Sequence, residues 1–275
     1  MKSRRLALVI TRKANDCLLS RLPNLRSRLT EVVAPTLRQA SRVVNTFRAG
    51  TPASGAASVE EADVVWVTVR KGDPFLDALL GEGVRWENKL VIWQGIDEPP
   101  PAALAQRGAE IASVVPIEDP DEVRCFAIGA RRPVRETRRM IEGAGGRVVE
   151  LRSGAEIEAA AAIAAGTWLL IPHLETVQLC LRRAGLTPGA AAPVIEHLIE
   201  RSLRAFLKAG RRAWRSPEES EEQEAFRNLL ARLEERDPAL HRRIRDGARL
   251  VLAAMGRSAE WLEAGAGIRQ AAAGR

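Results

Sequence analysis

The sequence predicts a doubly wound α/β domain with a parallel sheet, followed by an all-helical domain. Three observations carry that prediction. Short apolar runs alternate with helical spacings over about 150 residues, the pattern of strands buried on both faces between crossover helices. After Ser153 the texture changes and no strand signal is left. Apolar residues make up 46% of the 275-residue chain and are spread evenly, which excludes a disordered chain and leaves ample length for a core.

Each element follows from local pattern. Leu6-Ala7-Leu8-Val9-Ile10 is a continuous apolar run and the first strand. Glu31 to Ala34 is the second, stopped by Pro35-Thr36. Leu37 to Phe47 then has helical spacing through Leu37, Ala40, Val43, Val44 and Phe47. Gly, Pro and Ser make 50–58 a loop. Asp63 to Val69 is the clearest strand, and Asp73-Pro74 behind it supplies an N-cap and an N1 proline for a helix over Phe75 to Leu80. Strands at Lys89 to Gln94, Ile111 to Ile117 and Arg147 to Leu151 alternate with helices at Pro101 to Arg107 and Val134 to Gly143, while Glu122 to Gly129 continues the alternation. Right-handed crossovers make such strands parallel and put a ligand at their carboxyl ends.

The second half reads as helices throughout. Ala155 to Ala184 is one long stretch interrupted at Pro172, and Thr187-Pro188 opens another with Val194, Leu198, Ser202, Ala205 and Phe206 on one face. Pro217 starts a third that runs to Glu235, and Asp237-Pro238 caps a fourth. The expected organisation is a first domain over 1–152, a helical domain over 153–265 and a flexible tail over 266–275.

The longest uncharged apolar run, Ala159 to Pro172, has 14 residues, short of the roughly 20 that a spanning helix needs. The five apolar residues after Arg5 are too few for a signal peptide. No membrane association is expected, and the cytoplasm is the expected compartment. Cys17, Cys125 and Cys180 have neither metal-ligand nor disulfide spacing and read as small buried hydrophobes. Charge is uneven: residues 1–50 hold 11 basic and 2 acidic side chains, a net of +9 against +7 for the whole chain. That excess is an anion site, a nucleic-acid patch or a solvated face. Phe47 is its only aromatic neighbour, so stacking on bases lacks a platform and nucleic acid is not the expected partner.

The order of elements, with the stretches Glu61 to Val69 plus Asp73, Gly145 to Leu151, Ala160 to Ala164, and Asp237-Pro238 with Leu240 to Leu252, resembles the 6-phosphogluconate-dehydrogenase-like superfamily, which includes pyrroline-5-carboxylate reductase-like enzymes. Within it the chain is most similar to proteins that join a Rossmann-like domain to a C-terminal domain of unknown function 2520. The resemblance implies a Rossmann-like NAD(P)-binding domain, a helical domain like the C-terminal one of 6-phosphogluconate dehydrogenase, and a homodimer formed through the helical domain. The chain departs from that pattern at three places. Thr11-Arg12-Lys13-Ala14-Asn15-Asp16-Cys17 contains no glycine where G-x-G-x-x-G is usual, and residues with a Cβ do not readily take the required φ > 0. Val115-Pro116 stands where a His-Pro pair is usual, and Ala155 to Ala160 offers Glu156 and Glu158 but neither Lys nor His.

Candidate site residues follow from position. Thr11, Arg12 and Lys13 come directly after the first strand, where charge can replace a glycine cradle for phosphate; the alternative is a solvated loop. Thr36 and Arg38 end the second strand, and no acid lies between Val32 and Arg42, which favours NADP over NAD if either binds. Arg70 sits at the end of the strongest strand, while the neighbouring Asp73 is better explained as a helix cap. His173, beside Pro172 and one turn after Trp168, is the only catalytic candidate. Trp66, Trp93 and Trp168 read as core, and His197 and His241 as polar-face residues. No metal site, P-loop or nucleophile elbow is present. Three functions remain: an NADP-linked oxidoreductase-like protein with a degenerate cofactor loop; a non-catalytic Rossmann-like scaffold for another anionic metabolite or a protein partner; and, weakest, a nucleic-acid binder using the basic N-terminal segment.

Overall fold

The computed structural model describes residues 4–69, 73–81, 83–95, 99–117, 119–213 and 220–262. Its first part is built on one sheet of eight strands: β1 (Leu6–Ile10), β2 (Leu29–Val33), β3 (Thr51–Ala53), β4 (Val64–Thr68), β5 (Leu90–Gln94), β6 (Glu110–Ile117), β7 (Arg124–Gly129) and β8 (Arg147–Leu151). They lie in the order β3-β2-β1-β4-β5-β6-β7-β8. The first six repeat the doubly wound order 3-2-1-4-5-6, in which the direction of winding reverses between β1 and β4. Every residue of β1, β4 and β5 is buried. Such a strand contributes apolar side chains to both faces at once, each worth about 1.5–3 kcal/mol.

Two layers cover the sheet. On one face lie two 3-10 turns (Ala14–Asp16 and Leu18–Arg21), the single helical turn α1 (Pro23–Arg26), α2 (Leu37–Phe47) and α6 (Arg131–Glu142). Their Leu19, Leu22, Phe47 and Ile141 pack on Leu6, Leu8, Ile10, Trp66 and Ile92. On the other lie α3 (Ala57–Glu60), α4 (Pro74–Gly81) and α5 (Ala102–Gln106), with Val59, Leu79 and Leu104 packed on Ala7, Val9, Val65, Val67 and Trp93.

Three sequence expectations change. The loop expected over 50–58 contains β3 and the start of α3; Pro52 is tolerated there because β3 is an edge strand. Not all strands are parallel: β7 runs antiparallel to β6. The six residues between Ile117 and Arg124 are too few for a crossover, so the chain turns back on itself. The long helix breaks at Trp168-Leu169 instead of at Pro172, giving α7 (Glu156–Thr167) and α8 (Leu170–Arg183). Pro172 then falls in the first turn of α8, where no intrahelical donor is lost.

The chain divides into two compact units between Ala164 and Ala165. The second consists of α8, α9 (Pro188–Ala209), α10 (Ser220–Arg236) and α11 (Pro238–Ala254), with 3-10 turns at Gly210–Ala213 and Glu260–Leu262. Thr187 caps α9 and Asp237 caps α11 through their side chains. Leu230, Leu252 and Leu262 form its small core, joined by Phe226 and Trp261 in an edge-to-face pair. By length and composition alone the helical stretch Glu156–Arg183, which includes the turn at Trp168-Leu169, is long and apolar enough to cross a membrane; an 18-residue window within it has a mean hydropathy of 1.4.

Candidate functional site

In a doubly wound sheet the crevice opens at the carboxyl ends of the strands where winding reverses, here β1 and β4. The backbone at that place is held tightly. Thr11 N donates to Thr68 O at 3.1 Å, continuing the β1–β4 ladder past its last residue. Arg12 Nε donates to Val69 O at 2.9 Å, so the side chain bridges the two strand ends. Lys13 is exposed.

No helix longer than four residues begins between β1 and β2. Instead the two 3-10 turns and α1 carry the chain to β2, and Cys17, Leu18 and Leu19 are buried beneath the loop. Sequence reasoning missed the residue that fixes them. Gln94 ends β5, is only 6% exposed, and uses both the oxygen and the nitrogen of its amide inside the protein. Its Oε1 accepts from Leu18 N at 2.9 Å and from Trp66 Nε1 at 3.1 Å, while its Nε2 donates to Asp16 O at 2.8 Å. Three satisfied bonds in a low-dielectric setting make this a strong clamp on the loop. Next to Gln94 in the sheet, the buried Thr68 hydroxyl has no hydrogen-bond partner among the described residues. The one sequence signal for Gln94 was a polar residue closing an otherwise apolar strand, Leu90-Val91-Ile92-Trp93-Gln94.

The carboxyl end of β2 is different in kind. Thr36 Oγ1 accepts from Gln39 N at 3.2 Å and caps α2, an 11-residue helix with no acidic residue in its first turn. Arg38 is exposed and makes no ion pair among the described residues. A positive helix start beside a free guanidinium is a setting for phosphate.

The other candidates are dispersed. Arg70 lies outside the described residues. Asp73 Oδ1 accepts from Phe75 N at 3.0 Å, so it is a helix cap. His173 is an exposed residue of α8, in the second unit. Trp168, expected in a core, is 76% exposed, and His241, expected on a polar face, is buried on α11. A pair that the sequence did not suggest joins β6 to α7: buried Ser113 donates from Oγ to Glu156 Oε1 at 3.3 Å. Burial pushes the thiols of Cys17 and Cys125 up to about 12. Among the described residues no three His, Cys, Asp or Glu side chains gather to hold a metal. Much of the basic excess of the first 50 residues is spent internally: Arg4 and Arg5 pair with Glu136 and Glu61, Arg21 donates to the carbonyls of Pro120 and Glu122, and Arg26 to that of Ser20.

No protein-family model matches the sequence, and no curated protein sequence matches it. Solved structures do match. An imine reductase from Myxococcus stipitatus, as a variant in complex with NAD+, superposes with a TM-score of 0.66 at 18% identity, covering 92% of this chain and 95% of that one. The imine reductase of the same organism in complex with NADP+ gives 0.64 at 19% identity, covering 90% and 93%. A pyrroline-5-carboxylate reductase from Coxiella burnetii gives 0.53 at 16% identity, covering 90% and 99%. The fold is therefore Rossmann-like with a helical C-terminal domain. The likeness runs almost end to end, so both units belong to the shared architecture.

Proposed function

We propose that this chain is an NADP-linked oxidoreductase-like protein with a rebuilt cofactor loop, related to the proteins that carry the C-terminal domain of unknown function 2520. The observation that carries the reading is the exposed, carboxylate-free start of α2 at Thr36 and Arg38, set at the β2 end of a fold shared with structures holding NAD+ and NADP+. Bound nicotinamide would supply the hydride. The 2′-phosphate end fits this chain: Arg38 offers a guanidinium fork to the phosphate, and Thr36 orients the helix start beneath it. The pyrophosphate end fits differently. With no glycine turn and only short helical turns between β1 and β2, its charge would be met by side chains: Thr11, Arg12 and Lys13 directly after β1, and Arg70, which lies outside the described residues. His173 is the proposed proton donor, as the only histidine that sequence position favours.

The second reading, a scaffold without catalysis that binds another anionic metabolite or a protein partner, is favoured by the Gln94 clamp. Leu18 is 5% exposed and occupies the ground beneath the loop, where a glycine cradle would leave space. The nucleic-acid reading loses ground because Arg4, Arg5, Arg21 and Arg26 are used inside the first unit.

Titration with NADPH and, separately, NADH separates the first two readings, followed by tryptophan fluorescence and melting temperature. The oxidoreductase reading expects NADPH to bind at least tenfold tighter than NADH, with that preference lost in Arg38→Ala. No response to either at millimolar concentration overturns it in favour of the scaffold. A homodimer through the helical unit is part of the proposal, supported by the exposed Trp168, Ile171, Phe206 and Leu207 on α8, α9 and the turn before α8.

A further inference from the structure

A cluster of exposed arginines lies on a helix away from the crevice. Helix α6 covers β6 to β8, four to six strand positions from β2, or roughly 19–29 Å at about 4.8 Å per strand. Its buried residues, Pro133, Val134, Thr137 and Ile141, all lie on the sheet side. Arg131, Arg135 and Arg139 recur every four residues on the opposite side and are exposed, successive positions rising about 6 Å along the axis. With Arg132 and Glu136 they line an open surface depression of about 550 Å³.

Of the five arginines of α6, two are paired with carboxylates and, among the described residues, three are not. Arg132 is paired with Glu110 and Glu136, and Arg138 with Glu142 and Glu150. Arg131, Arg135 and Arg139 make no ion pair among the described residues. Two like-charge i,i+4 pairs in succession weaken an isolated helix by about 0.2–0.5 kcal/mol each. The helix start adds to the positive field: Ala130 provides no side-chain cap, the first turn holds no acid, and two arginines occupy its first two positions. An anion would relieve all of these at once.

We propose that α6 carries a binding site for a compact ligand bearing two or more phosphate groups, recognised by Arg131, Arg135 and Arg139, with Arg132 at the edge. Guanidinium forks match phosphate oxygens in bidentate fashion, and several on one face give a charge-assisted cluster. A compact ligand fits better than a nucleic-acid strand. Glu136 is itself among the lining residues, Glu110 pairs with Arg132, and Glu142 and Glu150 pair with Arg138, so a phosphodiester chain crossing the helix would meet carboxylates.

Inorganic tripolyphosphate is the probe, titrated calorimetrically into the full-length protein, with pyrophosphate and a 12-mer RNA as parallel arms. The variant Arg131→Gln/Arg135→Gln/Arg139→Gln alters only side chains facing away from the sheet, and its melting temperature checks that it folds. Tripolyphosphate affinity should fall at least tenfold in that variant, stay within twofold in Arg38→Ala, and weaken steeply between 50 and 200 mM salt, as phosphate contacts do. Absence of binding at low salt overturns the proposal, as does binding that survives the triple variant or is lost in Arg38→Ala. RNA that binds tighter than tripolyphosphate through the same three arginines also overturns it, and assigns the face to a polymer.

Discussion

The two units are held together by different means, and the contrast says where each is complete. In the first, the central strands are buried on both faces and two continuous clusters of large side chains flank the sheet. In the second, the described residues include only five buried hydrophobic side chains, Ala191, Leu230, Leu240, Leu252 and Leu262, and α8 buries none. Meanwhile Trp168 is 76% exposed and Leu207 74%. A sheet covered by helices on both faces has nowhere left to hide apolar area and needs nothing more. A set of amphipathic helices with exposed large apolar groups has the kind of surface that marks interaction sites.

The largest expected effect comes from removing the keystone of the first unit. Trp66→Ala deletes a fully buried side chain and deprives Gln94 Oε1 of one of its two donors. Cavity formation at such a site costs about 3–5 kcal/mol. Leu252→Ala in the helical unit should sit near the lower end of its class, about 2 kcal/mol, since its small cluster collapses more easily. Urea unfolding followed by near-ultraviolet circular dichroism compares them. Equal losses would break the contrast between a complete core and an incomplete one.

That contrast also separates what the sequence made legible from what it hid. β1 and α2 occur where apolar runs and helical spacing put them, and Asp73, Thr36 and Asp237 cap their helices as short polar residues before Pro or an apolar run should. These depend on local chemistry alone. What was hidden is non-local. The reversal of β7 depends on a short connection whose span had to be counted between two strands, and β3 on its being at an edge. Gln94 matters because β5 brings it under a loop 76 residues earlier in the chain, which no window of sequence reveals. For the same reason a missing glycine motif could be read at once, while what replaces it could not.

If the helical unit is half of an interface, a charge placed on its exposed face should separate the copies without unfolding either unit. Trp168→Glu is expected to convert a dimer into a monomer in sedimentation equilibrium. The first unit should then lose no more than about 0.5 kcal/mol, the usual limit for a surface change. A wild-type protein that is monomeric at every concentration would remove the interface, and the exposed apolar groups would need another partner.

The smallest effect separates the thiols of the two units. Cys17 and Cys125 are buried in the first, and desolvation of their thiolates pushes both up to about 12. Cys180 on α8 is only partly covered and is pushed up for the same reason. At neutral pH a thiol reagent should therefore modify Cys180 first, and the other two only when the sheet unfolds in urea. The sign of the pH dependence follows from the same burial. The native state keeps these protons to a higher pH than the unfolded chain does. Their contribution to stability is thus fully present below the ordinary thiol value near 9 and is lost as pH rises from there toward about 12. Alkaline unfolding of the double variant Cys17→Ala/Cys125→Ala should accordingly be shallower over that window than that of the wild type. If instead all three thiols react at one rate in the native protein, the loop pinned by Gln94 opens freely, and the tight first unit described above is looser than its packing implies.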